Sequence, residues 1–140
     1  MIREAKISDL ETLSEILLDD NTKEKANYEN FLIRDALTSY NKIVFIDYEN
    51  EVPVAFAQCS LIDEEKLNPI ASLDQICIKK NYQNKGIAKR LLVKCEAWAK
   101  EKECKKFSAK CNIEDINTMN MYSHSGFSEV NKVAYFSKDI

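Results

Sequence analysis

Between Ile70 and Cys111 the apolar pattern changes period twice around a single glycine, and no other stretch of the chain restricts the fold as much. Ile70 to Lys79 is rich in β-formers and reads as a strand. Lys80-Asn81-Tyr82-Gln83-Asn84-Lys85 breaks it. From Gly86 onward Ile87, Leu91, Leu92, Cys95, Trp98 and Ala99 make one helical stripe, with Lys89, Arg90, Lys94 and Lys100 largely outside it. Lys106 to Cys111 returns to strand character. A strand, helix, strand unit of this kind implies one parallel crossover.

The rest of the chain supplies adjacent strands. Ile2 to Ala5 reads as a short strand, and Ser8-Asp9-Leu10-Glu11 has the Ser-x-x-Glu pattern of a helix start, followed by Leu10, Leu13, Leu17 and Leu18 on one face. Tyr28, Phe31, Leu32 and Leu37 mark a second helix within Asn27 to Ser39. Ile43 to Ile46 and Val52 to Ile62 flank the polar turn Tyr48-Glu49-Asn50-Glu51 as a hairpin, and Asp63 to Pro69 turns into the Ile70 strand. Ile113 to Ser123 is a helix, and Phe127 to Val130 with Val133 to Phe136 a closing strand pair. Adjacent strands exclude a doubly wound parallel sheet. The expected fold is one α/β domain over residues 1–140, a mixed, mostly antiparallel sheet of about six to seven strands flanked by about four helices.

Composition agrees with one packed domain. The 140 residues are 45% hydrophobic, enough for a single core, and the 31% charged and 9% aromatic fractions argue against disorder. No apolar run approaches the roughly 20 residues of a bilayer span. Arg3, Glu4, Lys6 and Asp9 are unlike a signal peptide, so a cytoplasmic protein without membrane association is expected. The cysteines (Cys59, Cys77, Cys95, Cys104, Cys111) are odd in number and form no Cys-x-x-Cys pair, which points to buried reduced thiols rather than a metal or disulfide framework. The net charge of −3 is unevenly spread. Residues 1–75 carry 16 acidic and 7 basic side chains, residues 76–140 carry 7 and 13. This suits a cationic ligand on the amino half and an anionic one on the carboxyl half, or only a solvated surface if sequence halves are not spatial halves.

The chain has only two glycines, so their positions are informative. In Gln83-Asn84-Lys85-Gly86-Ile87-Ala88 a strand hands over to a helix, a junction that aims free backbone N–H groups and the positive end of the helix dipole at one point. That point suits a phosphate, which glycine lets approach the backbone; a plain helix cap is the other reading. The dinucleotide and triphosphate fingerprints both need glycines this chain lacks. In Tyr122-Ser123-His124-Ser125-Gly126-Phe127 the glycine alone reads as a left-handed helix end followed by a core Phe.

Together, in this order and with Asn117, these two segments and the Trp98 helix closely resemble the GCN5-related N-acetyltransferase superfamily over nearly the whole chain. Cys95-Glu96-Ala97-Trp98-Ala99-Lys100 and the ending Val133-Ala134-Tyr135-Phe136-Ser137-Lys138-Asp139-Ile140 are similar to the short bacterial aminoglycoside 6′-N-acetyltransferases. An acidic position of that group is Gln58 here, whereas the acidic residue of the next strand is kept as Asp74. The resemblance implies an acetyl-CoA cosubstrate and no metal. It places the coenzyme pyrophosphate on Gln83, Asn84, Lys85, Gly86, Ile87 and Ala88, chiefly through backbone N–H groups. A further coenzyme contact falls on Asn117, and the thioester and pantetheine arm on the strand backbone at Ile76, Cys77 and Ile78.

An ammonium ion cannot attack a thioester, so acetyl transfer needs a proton acceptor, a held carbonyl and a proton for the departing thiolate. Asp74 is the candidate for binding the ammonium, and either anchors it or passes its proton on. By the resemblance Tyr122 protonates the thiolate; its phenol, of pKa near 10, can donate to a thiolate of about 8.5 in a shielded site, and otherwise it packs. His124, two residues away on a helix, points elsewhere. Asp19, Asp20, Glu24 and Glu64 could line a cleft for a polycationic sugar. The expected acceptor is a small-molecule amine, an aminoglycoside 6′-amine in its sharpest form. Open alternatives are a protein amino terminus, a lysine, a metabolite amine, or a noncatalytic coenzyme-binding module. Nucleic acid is not an expected partner, because the basic residues follow one helix without interleaved aromatics. The carboxyl-terminal strands, as edges, could pair with a second copy in a homodimer.

Overall fold

The structure, a computed structural model, describes residues 1–20, 32–62, 69–129 and 131–140. The elements are β1 (Ile2–Glu4), a 3-10 turn (Ile7–Asp9), α1 (Leu10–Asp20), α2 (32–38), β2 (Lys42–Glu49), β3 (Val52–Ile62), β4 (Ile70–Ile78), a second 3-10 turn (Lys80–Tyr82), α3 (Ile87–Glu101), β5 (Lys106–Ala109) and α4 (Ile116–His124). They fall into two units, Met1–Lys110 and Cys111–Ile140.

The first unit is built on a mixed sheet in the order β1-β2-β3-β4-β5. Its first four strands are antiparallel neighbours, and β5 lies parallel to β4, so α3 forms the expected crossover. The α3 stripe is buried as its spacing predicts: Ile87, Leu91, Leu92, Cys95, Trp98 and Ala99. A second core forms between α1, α2 and the sheet from Leu13, Ile16, Leu17, Ile33, Ala36, Val44, Ile46, Phe56 and Cys77. Each fully buried large side chain there contributes about 1.5–3 kcal/mol of transfer free energy.

Three expectations need correction here. Leu18 is 50% exposed, and Ile16 takes its place in the core. The Ser8/Glu11 box does not start α1. Asp9 does this work, accepting the Lys6 backbone N–H at 2.7 Å while both Arg3 Nη atoms donate to its two carboxylate oxygens at 2.9 and 2.7 Å. The fork of Arg3 holds the Asp9 carboxyl below its ordinary pKa, a local preference at Ser8 being outweighed by a charge-assisted pair. In the second helix Ile33 and Ala36, not Leu32, are buried, and Tyr28 and Phe31 lie outside the described residues.

In the second unit Asp115 caps α4, accepting from the Thr118 N–H at 3.1 Å and its hydroxyl at 2.7 Å. Gly126, at φ 91°, ends it in the left-handed conformation, and the Phe127 N–H donates to the Tyr122 carbonyl at 3.0 Å. The closing strand pair, Phe127 to Val130 with Val133 to Phe136, is not found: the described residues of both segments form no strand, so five strands replace the expected six to seven. Tyr135 and Phe136 are 90% and 88% exposed. Their β-propensity was read correctly, but a strand exists only with a neighbour to take its backbone hydrogen bonds, and propensity does not supply one.

Candidate active site

Both candidate halves in the first unit are set by β4, one just past its carboxyl end and the other at Asp74, midway along the strand. Beyond its carboxyl end, the Lys80–Tyr82 turn is tied back by the Asp19 carboxylate, which accepts the Lys80 N–H at 2.7 Å, and by Gln83 Nε2, which donates to the Ile78 carbonyl at 3.1 Å. Asn84 and Gly86 then adopt left-handed backbone, at φ 61° and 81°. Gly86 is the N-cap of α3 and contributes no capping side chain, so the first-turn N–H groups of Ile87, Ala88 and Lys89 are left for an external acceptor. A Cβ placed on Gly86 would meet nothing within 4 Å. The glycine is therefore favoured by its φ rather than by crowding, and the space beside it is open. Positive dipole, free donors and clearance fit a pyrophosphate. Gln83, Asn84 and Lys85 are exposed, while the Ile87 side chain is buried and offers only its backbone.

The other half is a β-bulge. Gln58 of β3 pairs with Gln75, but Cys59 pairs with Leu73, so Asp74 is an extra residue on β4. A bulge sets two consecutive side chains on one face. Asp74 and Gln75 accordingly both reach Gln58: Gln75 Nε2 donates to Gln58 Oε1 at 3.1 Å, and Gln58 Nε2 approaches Asp74 Oδ2 at 3.5 Å. The Ser60 hydroxyl also donates to Asp74 Oδ2. Pairing of β4 with β5 ends at Leu73 and Ala109, while β4 runs on to Ile78. At Ile76 and Ile78, where the pantetheine arm is expected, β4 thus runs beyond its β5 neighbour. The Cys77 side chain turns away into the α1 core, its thiol 3.6 Å from the Ile16 carbonyl, so only its backbone can serve.

Sequence reasoning missed Ser60 and Gln75 and treated Gln58 only as a departure from a pattern. The i, i+2 spacing of Gln58 and Ser60 on a strand was the available signal; the bulge that brings Asp74 to both was not readable. Of the acidic residues considered for the acceptor, Asp19 is engaged by Lys80, while Glu24, Glu64 and the Asp20 side chain lie outside the described residues. The cysteines are all free thiols; Cys59, Cys77 and Cys95 are buried, Cys104 is half-buried, and Cys111, in the loop after β5, is exposed. A hydrogen bond with Cys95, then burial, raises the Cys59 pKa far out of the reactive range. The described residues hold no group of three metal-ligating side chains.

In the second unit Asn117 is exposed in the first turn of α4, and Tyr122 is half-buried, its ring 5.3 Å from that of Phe127. Burial, followed by the charges of Cys111 and Asp115, raises the Tyr122 phenol above its ordinary pKa. It stays protonated at neutral pH, as a proton donor must. His124 ends α4, exposed.

The chain is similar to known proteins. The pattern of the Acetyltransferase (GNAT) family matches residues 10–127. An aminoglycoside N(6′)-acetyltransferase type 1 from Acinetobacter baumannii is 26% identical, over 99% of this chain and 96% of its own. The fold superposes on the apo aminoglycoside 6′-N-acetyltransferase AAC(6′)-IG from Acinetobacter haemolyticus with a TM-score of 0.83 at 22% identity, covering 100% of this chain and 99% of that one. AAC(6′)-Iy, solved with the bisubstrate analogue CoA-S-monomethyl-acetylneamine, superposes with a TM-score of 0.78 at 20% identity, covering 100% and 98%. With the family pattern spanning both units, the phosphate-suited loop and the end of β4 beyond β5 belong to a chain that is a member of the GNAT acetyltransferase family.

Proposed function

We propose that the protein transfers the acetyl group of acetyl-CoA to the 6′-amine of an aminoglycoside by direct attack in a ternary complex. The acceptor follows from the A. baumannii relative, similar from end to end, and from the bisubstrate-bound neighbour, which joins coenzyme A to a neamine. The observation that carries the chemistry is the conjunction of an amide-lined, glycine-opened helix start after β4 with a carboxylate midway along β4 that no described cation neutralises. Acetyl-CoA supplies the thioester; the amides of Gly86 to Lys89 bind its pyrophosphate, and the backbone at Ile76 to Ile78 holds the arm and the thioester oxygen. Asp74 binds the acceptor ammonium and orients it, the ammonium gives one proton to solvent through water, and the free amine then attacks the thioester carbon. Asn117 adds a coenzyme contact, and Tyr122, kept protonated by its surroundings, gives its proton to the leaving thiolate.

Free cysteines throughout suit the reducing cytoplasm, where acetyl-CoA is also available. We also propose a homodimer, supported by the exposed Val133, Tyr135, Phe136 and Ile140, apolar side chains that a second copy would cover. The test of function is thiol release from acetyl-CoA with 6′-amino aminoglycosides, their 6′-hydroxyl congeners, polyamines and amino-terminal peptides. Turnover confined to the 6′-amino compounds is expected. Turnover of the peptides instead would replace the acceptor assignment, and coenzyme binding with no turnover would replace the enzymatic one.

A further inference from the structure

Three aspartates of the first unit are neutralised by a cation. Asp9 is neutralised by Arg3, Asp35 by Lys42 at 2.9 Å, and the fully buried Asp47 by Arg90 Nε at 2.6 Å. Asp74 is exposed, has no cationic partner among the described residues, and is held only by neutral groups. Both contacts fall on the same oxygen, Oδ2. The Gln58 amide is itself oriented: its carbonyl oxygen accepts from Gln75 Nε2, which turns its NH2 toward Asp74. A carboxylate at position 58 would repel Asp74 and could not donate to it.

We propose that Ser60, Gln58 and Gln75 are positioning residues, which fix the Asp74 carboxylate through Oδ2 without neutralising it and so leave Oδ1 of the still un-neutralised group to the acceptor's ammonium. This rests on the reading of Asp74 as the acceptor anchor. The bulge makes the arrangement possible. In an unbroken strand Asp74 and Gln75 would face opposite sides of the sheet, and only one of them could meet Gln58. A cation in place of these donors would fix the carboxylate equally well but remove the charge that attracts a polycationic acceptor. Neutral donors give orientation and keep the charge.

The experiment compares Ser60→Ala, Ser60→Thr and Gln75→Leu with the parent, measuring KM for kanamycin, KM for acetyl-CoA, and calorimetric affinity for kanamycin. Loss of one charge-assisted hydrogen bond raises the acceptor KM by about tenfold in Ser60→Ala. The acetyl-CoA KM stays at the parent value, Ser60→Thr restores the acceptor KM, and Gln75→Leu shows a smaller rise of the same kind. A merely structural role would instead lower the melting temperature and move both KM values together. Asp74→Asn separates the two claims. If it abolishes kanamycin affinity while Ser60→Ala and Gln75→Leu change nothing, the positioning proposal is overturned and the anchor stands. If Asp74→Asn leaves the affinity unchanged, or the parent binds no kanamycin, the anchor reading and the proposal fall together.

Discussion

Replacing Gly86 with alanine separates what the glycine does for the fold from what it does for the ligand. At φ 81° an L-residue meets its own backbone, which costs about 1–2 kcal/mol. Nothing is added by crowding, because a Cβ there has no neighbour within 4 Å. For a domain of this size the melting temperature falls by about 3–8 °C. The ligand effect is separate. A methyl group on the N-cap of α3 narrows the clearance beside the first-turn amides, and displacing a pyrophosphate oxygen from one of them loses a hydrogen bond to a charged group, about 1.5–3 kcal/mol or ten- to hundredfold in Kd. Differential scanning fluorimetry of the free protein reads the first effect and calorimetric titration with coenzyme A the second. Gly86→Asn, which tolerates left-handed backbone better, regains part of the melting temperature but none of the affinity. Coenzyme A bound as tightly by Gly86→Ala as by the parent would refute the assignment of this loop.

The other perturbations address other parts of the account. Tyr122→Phe lowers kcat by about a hundredfold with the acetyl-CoA KM unchanged; because the parent phenol titrates above its ordinary value near 10, the midpoint of the alkaline fall in parent kcat lies above that pH, a limb the variant lacks. A parent profile falling well below that pH would remove Tyr122 as the acid. Arg90→Met leaves the buried Asp47 charge with only the Met1 ammonium, 3.3 Å from Oδ1, and costs about 2 kcal/mol in urea unfolding, whereas Glu49→Gln, at the half-exposed end of the same fork, costs less than about 1. Equal losses would show that burial of Asp47 does not set the cost. Asp9→Asn destabilises at neutral pH. Since the folded-state pKa of Asp9 is depressed, its contribution is present above the unfolded value near 3.9 and is lost as pH falls through the folded one, so parent and variant converge in acid. A constant difference down to pH 2 would contradict the linkage.

What could be read from the chain was what local pattern fixes. The α3 stripe and the bounds of β3 match residue by residue, because burial on a helix or strand imposes its period on the sequence. The phosphate-suited loop was legible because a glycine between a strand and a helix, in a chain with so few, has few other uses. Two kinds of feature were not. The closing strands failed because Val133 to Phe136 state a propensity but not a partner. The Asp74 cluster was half seen, since the extra residue at the bulge depends on the β3 register, which no residue announces. Asp9 displaced Ser8 at the helix start through Arg3, a contact set by where β1 lies.

The position of the transferred acetyl group tests the central claim most directly. Kanamycin incubated with the protein and acetyl-CoA, then examined by two-dimensional NMR, should give a single product acetylated on the 6′-nitrogen, with none formed by the Asp74→Asn variant at equal concentration. Acetylation at another amine, or product formation undiminished by that variant, would contradict the proposed site.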